Sequence, residues 1–132
     1  MFSTNAFDYI NVLDKAADAS WLRETVISNN IANVNTPNYK RADVNFQSVL
    51  EKELGMSKYT SLDKKIRGIN QRGINGLNVS AYTDASNYSY RLDGNNVDID
   101  NENAILAKNQ IKYNGLQDSI NKEFSNLKMV MK

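Results

Sequence analysis

The sequence contains no cysteine and no histidine among its 132 residues. Disulfides, thiol nucleophiles, histidine-based metal sites and Ser–His triads are therefore excluded. We expect no cofactor and no metal ion. The compartment stays open, because a chain without cysteine tolerates reducing and oxidising surroundings alike.

Long apolar runs and an excess of charge of one sign are also missing. No apolar run approaches the ~20 residues of a membrane-spanning helix, and the first residues lack the basic start and apolar core of a cleavable signal peptide. With 16 Lys and Arg against 15 Asp and Glu, the net charge is +1, which gives little attraction for nucleic acid or anionic membrane. The length predicts one domain or one elongated subunit.

A long helix is predicted from about residue 5 to 31, with Thr4 or Asn5 as its cap and Asp8 in its first turn. Residues spaced alternately four and three apart form a heptad seam with one fault, at Glu24. Its positions are Ala6, Ile10, Leu13, Ala17, Ser20, Glu24, Ile27 and Ile31. A second apolar surface beside the seam predicts more than one neighbour for this helix; it contains Trp21, Leu22 and Val26.

A second long helix is predicted near the other end, with Asp100 as its cap and Glu102 in its first turn. Its seam runs through Leu106, Asn109, Tyr113, Leu116, Ile120, Phe124, Leu127 and Met131. Asn109 has two interpretations: a buried polar residue that sets the register, or a partly exposed position.

The middle region, residues 35–99, is predicted to hold a short helix over "NFQSVLEKEL" and a polar segment from Gly55 to about Asn87 without a helical period. Beyond that segment, apolar residues alternate on both sides of a turn at Asp93, Gly94 and Asn95, which predicts a short β-hairpin. The alternating residues are Tyr88, Tyr90 and Leu92 before the turn, and Val97 and Ile99 after it.

The stretch "NNIANVNTPNYKR", residues 29–41, ends the first helix. Pro37 lacks an N–H and moves Thr36 out of helical geometry. Asn33 and Asn35 tolerate left-handed backbone and can bond their own backbone. Pro37 and Asn38 suit the centre of a tight turn, which in type II requires a positive φ at Asn38.

The stretch resembles the N-terminal signature of flagellar rod and hook proteins, Asn-Ile-Ala-Asn followed by Thr-Pro-Gly-Tyr-Lys and a phenylalanine. The matching positions are Asn30, Ile31, Ala32, Asn33, Thr36, Pro37, Tyr39, Lys40 and Phe46. Asn38 departs from the usual glycine, but asparagine is the next best residue for positive φ. The segment "RLDGNNVDIDNENAILAKNQIKYN" resembles the C-terminal region of a proximal rod protein of this family.

The resemblance implies a mainly α fold in which the terminal helices, residues 1–34 and 100–132, pair as an antiparallel coiled coil that lines an axial tube. It implies a structural subunit of the flagellar basal-body rod, in the periplasm or cell-wall zone. The implied partners are copies of the chain, other rod proteins, a ring-to-rod adaptor with the membrane ring, and the flagellar type III export apparatus. The motif segment, with Asn35, would then contact neighbouring subunits.

Other functions remain open at this point. The companion proximal rod protein is the nearest alternative, although its Met- and Ala-rich helix is absent here. A peptidoglycan-acting enzyme would need paired carboxylates, for which Asp98, Asp100 and Glu102 are the candidates, but a helix cap explains them more simply. A nucleic-acid-binding module would rest on the basic residues of "KYTSLDKKIRGINQR", which are Lys58, Lys64, Lys65, Arg67 and Arg72. We expect neither nucleic acid nor a small-molecule substrate.

Overall fold

The computed structural model describes residues 4–55, 61–84 and 91–131, with the backbone alone for residues 4–6. Four α-helices occur in these ranges: α1 (Thr4–Ala32), α2 (Phe46–Gly55), α3 (Leu62–Arg72) and α4 (Ile99–Val130). A short 3₁₀ helix spans Ile74–Leu77, and two strands, β1 (Ala42–Asp43) and β2 (Tyr82–Thr83), pair antiparallel. None of the helices in these ranges is long and apolar enough to cross a membrane.

The two long helices pair antiparallel, as the resemblance implies. Near the end of α1, Asn30 bonds Glu102 at the start of α4, whereas Ser20, earlier in α1, bonds Asn109, later in α4. The mainly helical fold with paired terminal helices is thus confirmed. The first helix extends by one residue beyond each predicted bound, so that Asp8 lies beyond its first turn. The second begins before its predicted cap and ends at Val130, short of the predicted end at residue 132.

The N-terminus of α4 corrects the predicted cap. Asp98, rather than Asp100, is the N-cap, and its Oδ1 accepts from the N–H groups of Asp100 and Asn101 at 3.1 and 3.2 Å. Asp100 and Glu102 both lie in the first turn. A capping residue has extended backbone, and its side chain bonds the first unpaired N–H groups of the helix. Asp98 meets this condition, whereas Asp100 already lies inside the helix.

The middle region contains more helix than predicted. The helix over Phe46–Gly55 is confirmed, but α3 lies within the segment predicted to lack a helical period. Ile66 and Ile69 of α3 are buried three residues apart, whereas its lysines and arginines face outward or are half-buried. The three apolar residues of α3 are too few to show a helical period in the sequence. The helix is stabilised instead by its packing on α1.

The core lies between α1 and this middle region. It joins Val12, Ala16 and Ala19 of α1 to residues of α2, α3 and the 3₁₀ helix, namely Phe46, Ile66, Ile69 and Leu77. One face of α1 therefore contacts α4 and another contacts the middle region, which confirms that α1 has more than one neighbour. Of the residues predicted for this second face, Val26 is buried but Trp21 is 65% exposed.

The predicted hairpin is not observed in the described residues. Arg91 to Gly94 form a turn, closed by the Gly94 N–H and the Arg91 carbonyl at 3.2 Å, but no strand follows it. The Val97 N–H bonds the Asn95 side chain instead of a partner strand. Leu77, within the segment predicted to lack a helical period, lies in the 3₁₀ helix. Tyr88 and Tyr90 lie outside the described residues.

Candidate functional site

The polar residues after α1 build one half of a junction, defined as residues 30–43 together with 91–102. The first part is a turn in which the Tyr39 N–H donates to the Thr36 carbonyl at 3.3 Å. Asn38 has a φ of 60°, as predicted, and no other non-glycine residue in the described ranges has a positive φ. Asn33 and Asn35 therefore do not adopt the left-handed backbone that asparagine tolerates.

A second turn, Arg91–Gly94, faces the first. The Asn38 N–H donates to the Asp93 carbonyl at 2.7 Å, and Lys40 Nζ donates to the Gly94 carbonyl. Gly94 has a φ of 75°, and a Cβ added there would lie 2.7 Å from Asn38 Oδ1. Glycine is favoured at this position because a side chain would be strained at this φ and would have to displace the Asn38 amide.

Asn95 closes the end of α1 from the other side of the junction. Its Nδ2 lies within 2.8–3.2 Å of the carbonyl oxygens of Asn33, Val34 and Thr36. These carbonyls follow the end of α1, where the helix itself supplies no further donors. Asn95 adds a donor there, beside the Thr36 and Tyr39 N–H groups that bond the carbonyls of Asn33 and Thr36. The Asn95 side chain is fully buried, so residue 95, predicted as a hairpin-turn residue, serves to join two segments of the chain.

Asn30 is the buried centre of the junction. Its Oδ1 accepts from the Ala42 N–H at 2.9 Å and from the Tyr39 hydroxyl at 3.1 Å, and its Nδ2 donates to the Ala42 carbonyl at 2.8 Å and to Glu102 at 3.2 Å. One side chain thus connects α1, the chain after the turn, and α4. An amide is well suited to this position because it both donates and accepts.

An ion-pair cluster lies beside Asn30. Arg41 donates to Glu102 at 2.6 Å, to Asp84 at 3.1 Å and to Asp43 at 3.3 Å. The Glu102 side chain is completely buried. Burial lowers the pKa of Arg41, but the hydrogen bond and charge of Glu102, followed by Asp84 and Asp43, raise it overall. The guanidinium therefore stays charged and holds α4 to the chain after the turn.

Asp43 belongs to the same cluster and accepts from Arg23 of α1 at 2.9 Å. Burial would raise the pKa of Asp43, but the hydrogen bonds from Arg23 and the Val44 N–H, and the charges of Arg23 and Arg41, lower it further than burial raises it. A lowered pKa means that the folded state prefers the ionised carboxylate.

Acid should therefore weaken the fold through Asp43. Because its pKa is lower in the folded chain than its unfolded value of about 4, its contribution to stability is complete above that value and is lost as the pH falls through the folded pKa. We expect Asp43→Asn to flatten the fall in stability below pH ~4, measured by urea unfolding at a series of pH values. Asp118→Asn, at an exposed position of α4, is the control. An unchanged acid profile in Asp43→Asn would contradict this account.

Arg41 and Asp43 were not predicted as site residues, and Glu102 was considered only for the helix start and for an enzyme. The sequence did contain a signal for Glu102, because extending the α4 seam four residues back from Leu106 reaches this residue. Asn30 likewise lies three residues beyond Ile27, whereas the predicted seam took Ile31, which is only half-buried. No pattern indicated Arg41 as the partner, because the pairing joins residues 61 positions apart.

The remaining motif residues are mostly exposed. Asn30 and Phe46 are buried, and Ile31, Asn33 and Tyr39 are half-buried. The exposed positions are Ala32, Asn35, Thr36, Pro37, Asn38 and Lys40. The motif thus has a buried part that holds the junction and an exposed part that is available to a neighbouring molecule.

The predicted seam residues differ in burial. Ile10, Ala17 and Ile27 are buried, and Phe124 is 46% exposed. The half-buried positions are Leu13, Leu106, Tyr113, Leu116, Ile120 and Leu127. Leu116 contacts the core shared with the middle region, whereas Tyr113 and Ile120 line a groove together with Ala17.

Polar residues on the seam are paired across the two helices. Asn109 is 2% exposed, and its Nδ2 donates to the Ser20 carbonyl at 2.8 Å, which supports the buried interpretation of this residue. Glu24, the predicted fault, accepts from Gln110 at 3.3 Å. Both contacts favour one register, since a shift of the helices would leave a buried amide without its partner.

The Asn38 turn gives a direct test of the motif. We expect Asn38→Gly to preserve stability, because glycine adopts a φ of 60° without strain, and Asn38→Val to cost about 1–3 kcal/mol, because a β-branched residue is strained there. Urea unfolding of the two variants measures the difference, and motility should follow it. Equal stability of the valine variant and the unsubstituted chain would refute the turn.

Comparison with known proteins agrees with this geometry. A family model described as "Flagella basal body rod protein" matches residues 22–40, which end in the Thr36–Tyr39 turn and Lys40. The protein named flagellar basal body rod protein FlgB from Bacillus subtilis is 36% identical over 122 residues, 92% of each chain. The FlgB of Borrelia hermsii is 35% identical over 130 residues, 93% of this chain and 95% of its own.

A helical subunit with paired terminal helices and this motif at their junction is a flagellar axial protein in architecture. The chain belongs to the family of flagellar basal body rod proteins that these FlgB relatives represent. The FlgB of Salmonella typhimurium is more distant, at 32% identity over 97 residues, 69% of each chain.

Proposed function

We propose that this protein is a structural subunit of the proximal rod of the bacterial flagellar basal body. Copies of it polymerise into part of the axial drive shaft that links the membrane ring to the rest of the rod and the hook. The observation that carries the proposal is the similarity to a flagellar rod protein along 92% of the chain. The similarity therefore extends over the helices, the middle region and the junction.

Within the rod, the terminal helices, residues 1–34 and 100–132, form the inner part of the subunit, and residues 35–99 form the outer part. The junction holds these parts at a fixed angle, which a regular helical assembly requires of every copy. Support comes from the buried hydrogen bonds of Asn30 and Asn95 and from the Arg41–Glu102 pair. The exposed motif residues from Asn35 to Asn38 contact neighbouring subunits.

The partners are copies of the chain and other rod proteins, with the ring-to-rod adaptor and the membrane ring at the base. The subunit reaches the rod, in the periplasm or cell-wall zone, through the flagellar type III export apparatus. Export requires an unfolded chain, and a fold without disulfides, as the lack of cysteine dictates, presents no covalent obstacle to unfolding.

The role is structural rather than catalytic. The carboxylates considered for an enzyme have structural partners: Asp98 caps α4, and Glu102 is buried against Arg41. The basic residues considered for nucleic-acid binding lie on α3 instead of a loop, and Lys58 lies outside the described residues.

Deletion of the gene tests the proposal. Flagellar construction should stop at the base, so electron microscopy of basal bodies should find no hook and no filament. The double change Asp98→Asn with Asp100→Asn should cost at most the capping contribution, roughly 0.5–2 kcal/mol, and leave motile cells. Hooks on the deletion strain would count against a rod subunit. Rodless cells that still make a folded doubly substituted protein would favour an enzyme.

A further inference from the structure

A groove between α1 and α4 has no function in the junction or the core. Its volume is about 360 Å³, and its lining includes Asp14, Ala17, Asp18 and Trp21 of α1 and Tyr113 and Ile120 of α4. Trp21 is 65% exposed, which is unusual for a side chain with so large an apolar area. A tryptophan at the edge of a groove is the kind of residue that dominates binding at protein interfaces.

The chemistry of the groove restricts what it can bind. Two aspartates stand beside two aromatic rings, and the lining residues include no lysine or arginine. The complementary occupant is an apolar segment with a positive charge next to it. Methionine suits such a surface, because its flexible thioether adapts to irregular gaps and contacts aromatic rings favourably.

The last turn of α4 has these properties. Met129, Val130 and Met131 are 73%, 71% and 83% exposed, and Lys128 is exposed beside them. These consecutive apolar side chains are mostly uncovered in the described part of the chain. Exposed apolar clusters of this kind mark interaction surfaces more often than single exposed residues do.

We propose that the groove of one copy receives the last turn of α4 of a second copy, with Met129–Met131 against Trp21 and Tyr113 and Lys128 beside Asp14 and Asp18. This inference rests on the proposed function, because it names the contact by which rod subunits join. The α4 helix is continuous from residue 99 to 130, and from Ile120 to Met131 it rises roughly 16 Å. The segment therefore cannot fold back into its own groove.

A contact between two different surfaces of the same molecule has a consequence for assembly. Each copy offers both a groove and a last turn, so each contact leaves one of each unused. Such heterologous contacts continue into open helical polymers unless the rotation closes a ring. The groove and the last turn thus fit the polymer that a rod requires.

Cysteine cross-linking of the purified full chain tests the contact, because the natural sequence contains no cysteine. Gln117→Cys, in the groove lining, is mixed at high concentration with Met131→Cys and oxidised. We expect a 117–131 cross-linked dimer in at least ~10-fold higher yield than in a matched mixture of Met131→Cys with Asn114→Cys, which is exposed on α4 outside the groove lining. Equal yields would overturn the proposal.

A second measurement tests the tryptophan of the groove in the same cross-linking assay. Adding Trp21→Ala to the Gln117→Cys partner should lower the yield, whereas Ile111→Ala, another exposed apolar residue, should not. Cross-linking of Gln117→Cys to Leu62→Cys of α3 instead would assign the groove to a different segment and refute the α4 contact. A deletion strain without hooks, together with no 117–131 cross-link, would reject this contact while leaving the rod function intact.

Discussion

Replacing Arg41 with methionine is expected to lower the free energy of unfolding by about 3–5 kcal/mol, since it leaves Glu102 charged and buried without its partner. Glu102 is 0% exposed, and Arg41 is its closest ion-pair partner at 2.6 Å. The same change removes the bonds from Arg41 to Asp43 and Asp84. Urea unfolding measures the loss, and motility should fail because the junction no longer fixes the subunit.

The double variant Arg41→Met with Glu102→Gln separates the charge from the packing. Glutamine keeps an oxygen for the Asn30 amide but carries no charge, so the double variant should be more stable than Arg41→Met alone. Lys64→Met, on the exposed side of α3, is the control and should change stability by less than ~0.5 kcal/mol. If Arg41→Met and Lys64→Met were equally stable, the buried ion pair would not hold the junction.

Ile27→Asp is the second change with a large expected effect. Ile27 is 0% exposed on α1, so an aspartate there loses the apolar burial and places a carboxylate out of reach of water. We expect a loss of several kcal/mol, and cells that make the protein but do not swim. Thermal unfolding and a motility assay measure the two effects.

The burial of each substituted residue should determine how strongly an aspartate there destabilises the fold. Leu13→Asp and Leu116→Asp, at half-buried positions, should destabilise less than Ile27→Asp, because a partly exposed carboxylate keeps some of its water. Lys64→Asp, on the exposed side of α3, should be nearly silent. Damage from Lys64→Asp equal to that from Ile27→Asp would show that the helix pair is not the critical surface.

The helices at both ends and the turn between them were predictable because their signals are local. Heptad spacing marks an apolar face over many residues, and Pro37 with Asn38 restricts the backbone at the turn itself. The family was predictable from the motif because the motif is also a local signal. The α3 helix was missed because its apolar residues are few and its stability comes from α1, which no local window contains.

The junction was beyond prediction for a related reason. Gly94 and Asn95 were recognised as turn residues, yet their partners, Asn38 and the carbonyls after α1, lie more than 50 positions away. The same polar residues can complete a hairpin or cap a distant helix, and local chemistry does not choose between them.

Local backbone preference and apolar spacing determined that this chain has two long terminal helices, a firm stop after the first, and the signature of a flagellar axial protein. The tertiary structure decided which of its polar residues are buried: Asn30, Asn95 and Glu102 have no exposed surface because antiparallel pairing brings residues 30–43 against 91–102. A buried amide or carboxylate is stable only when its partners are in place. Those partners are set by the pairing of the whole helices, and no short stretch of sequence contains them.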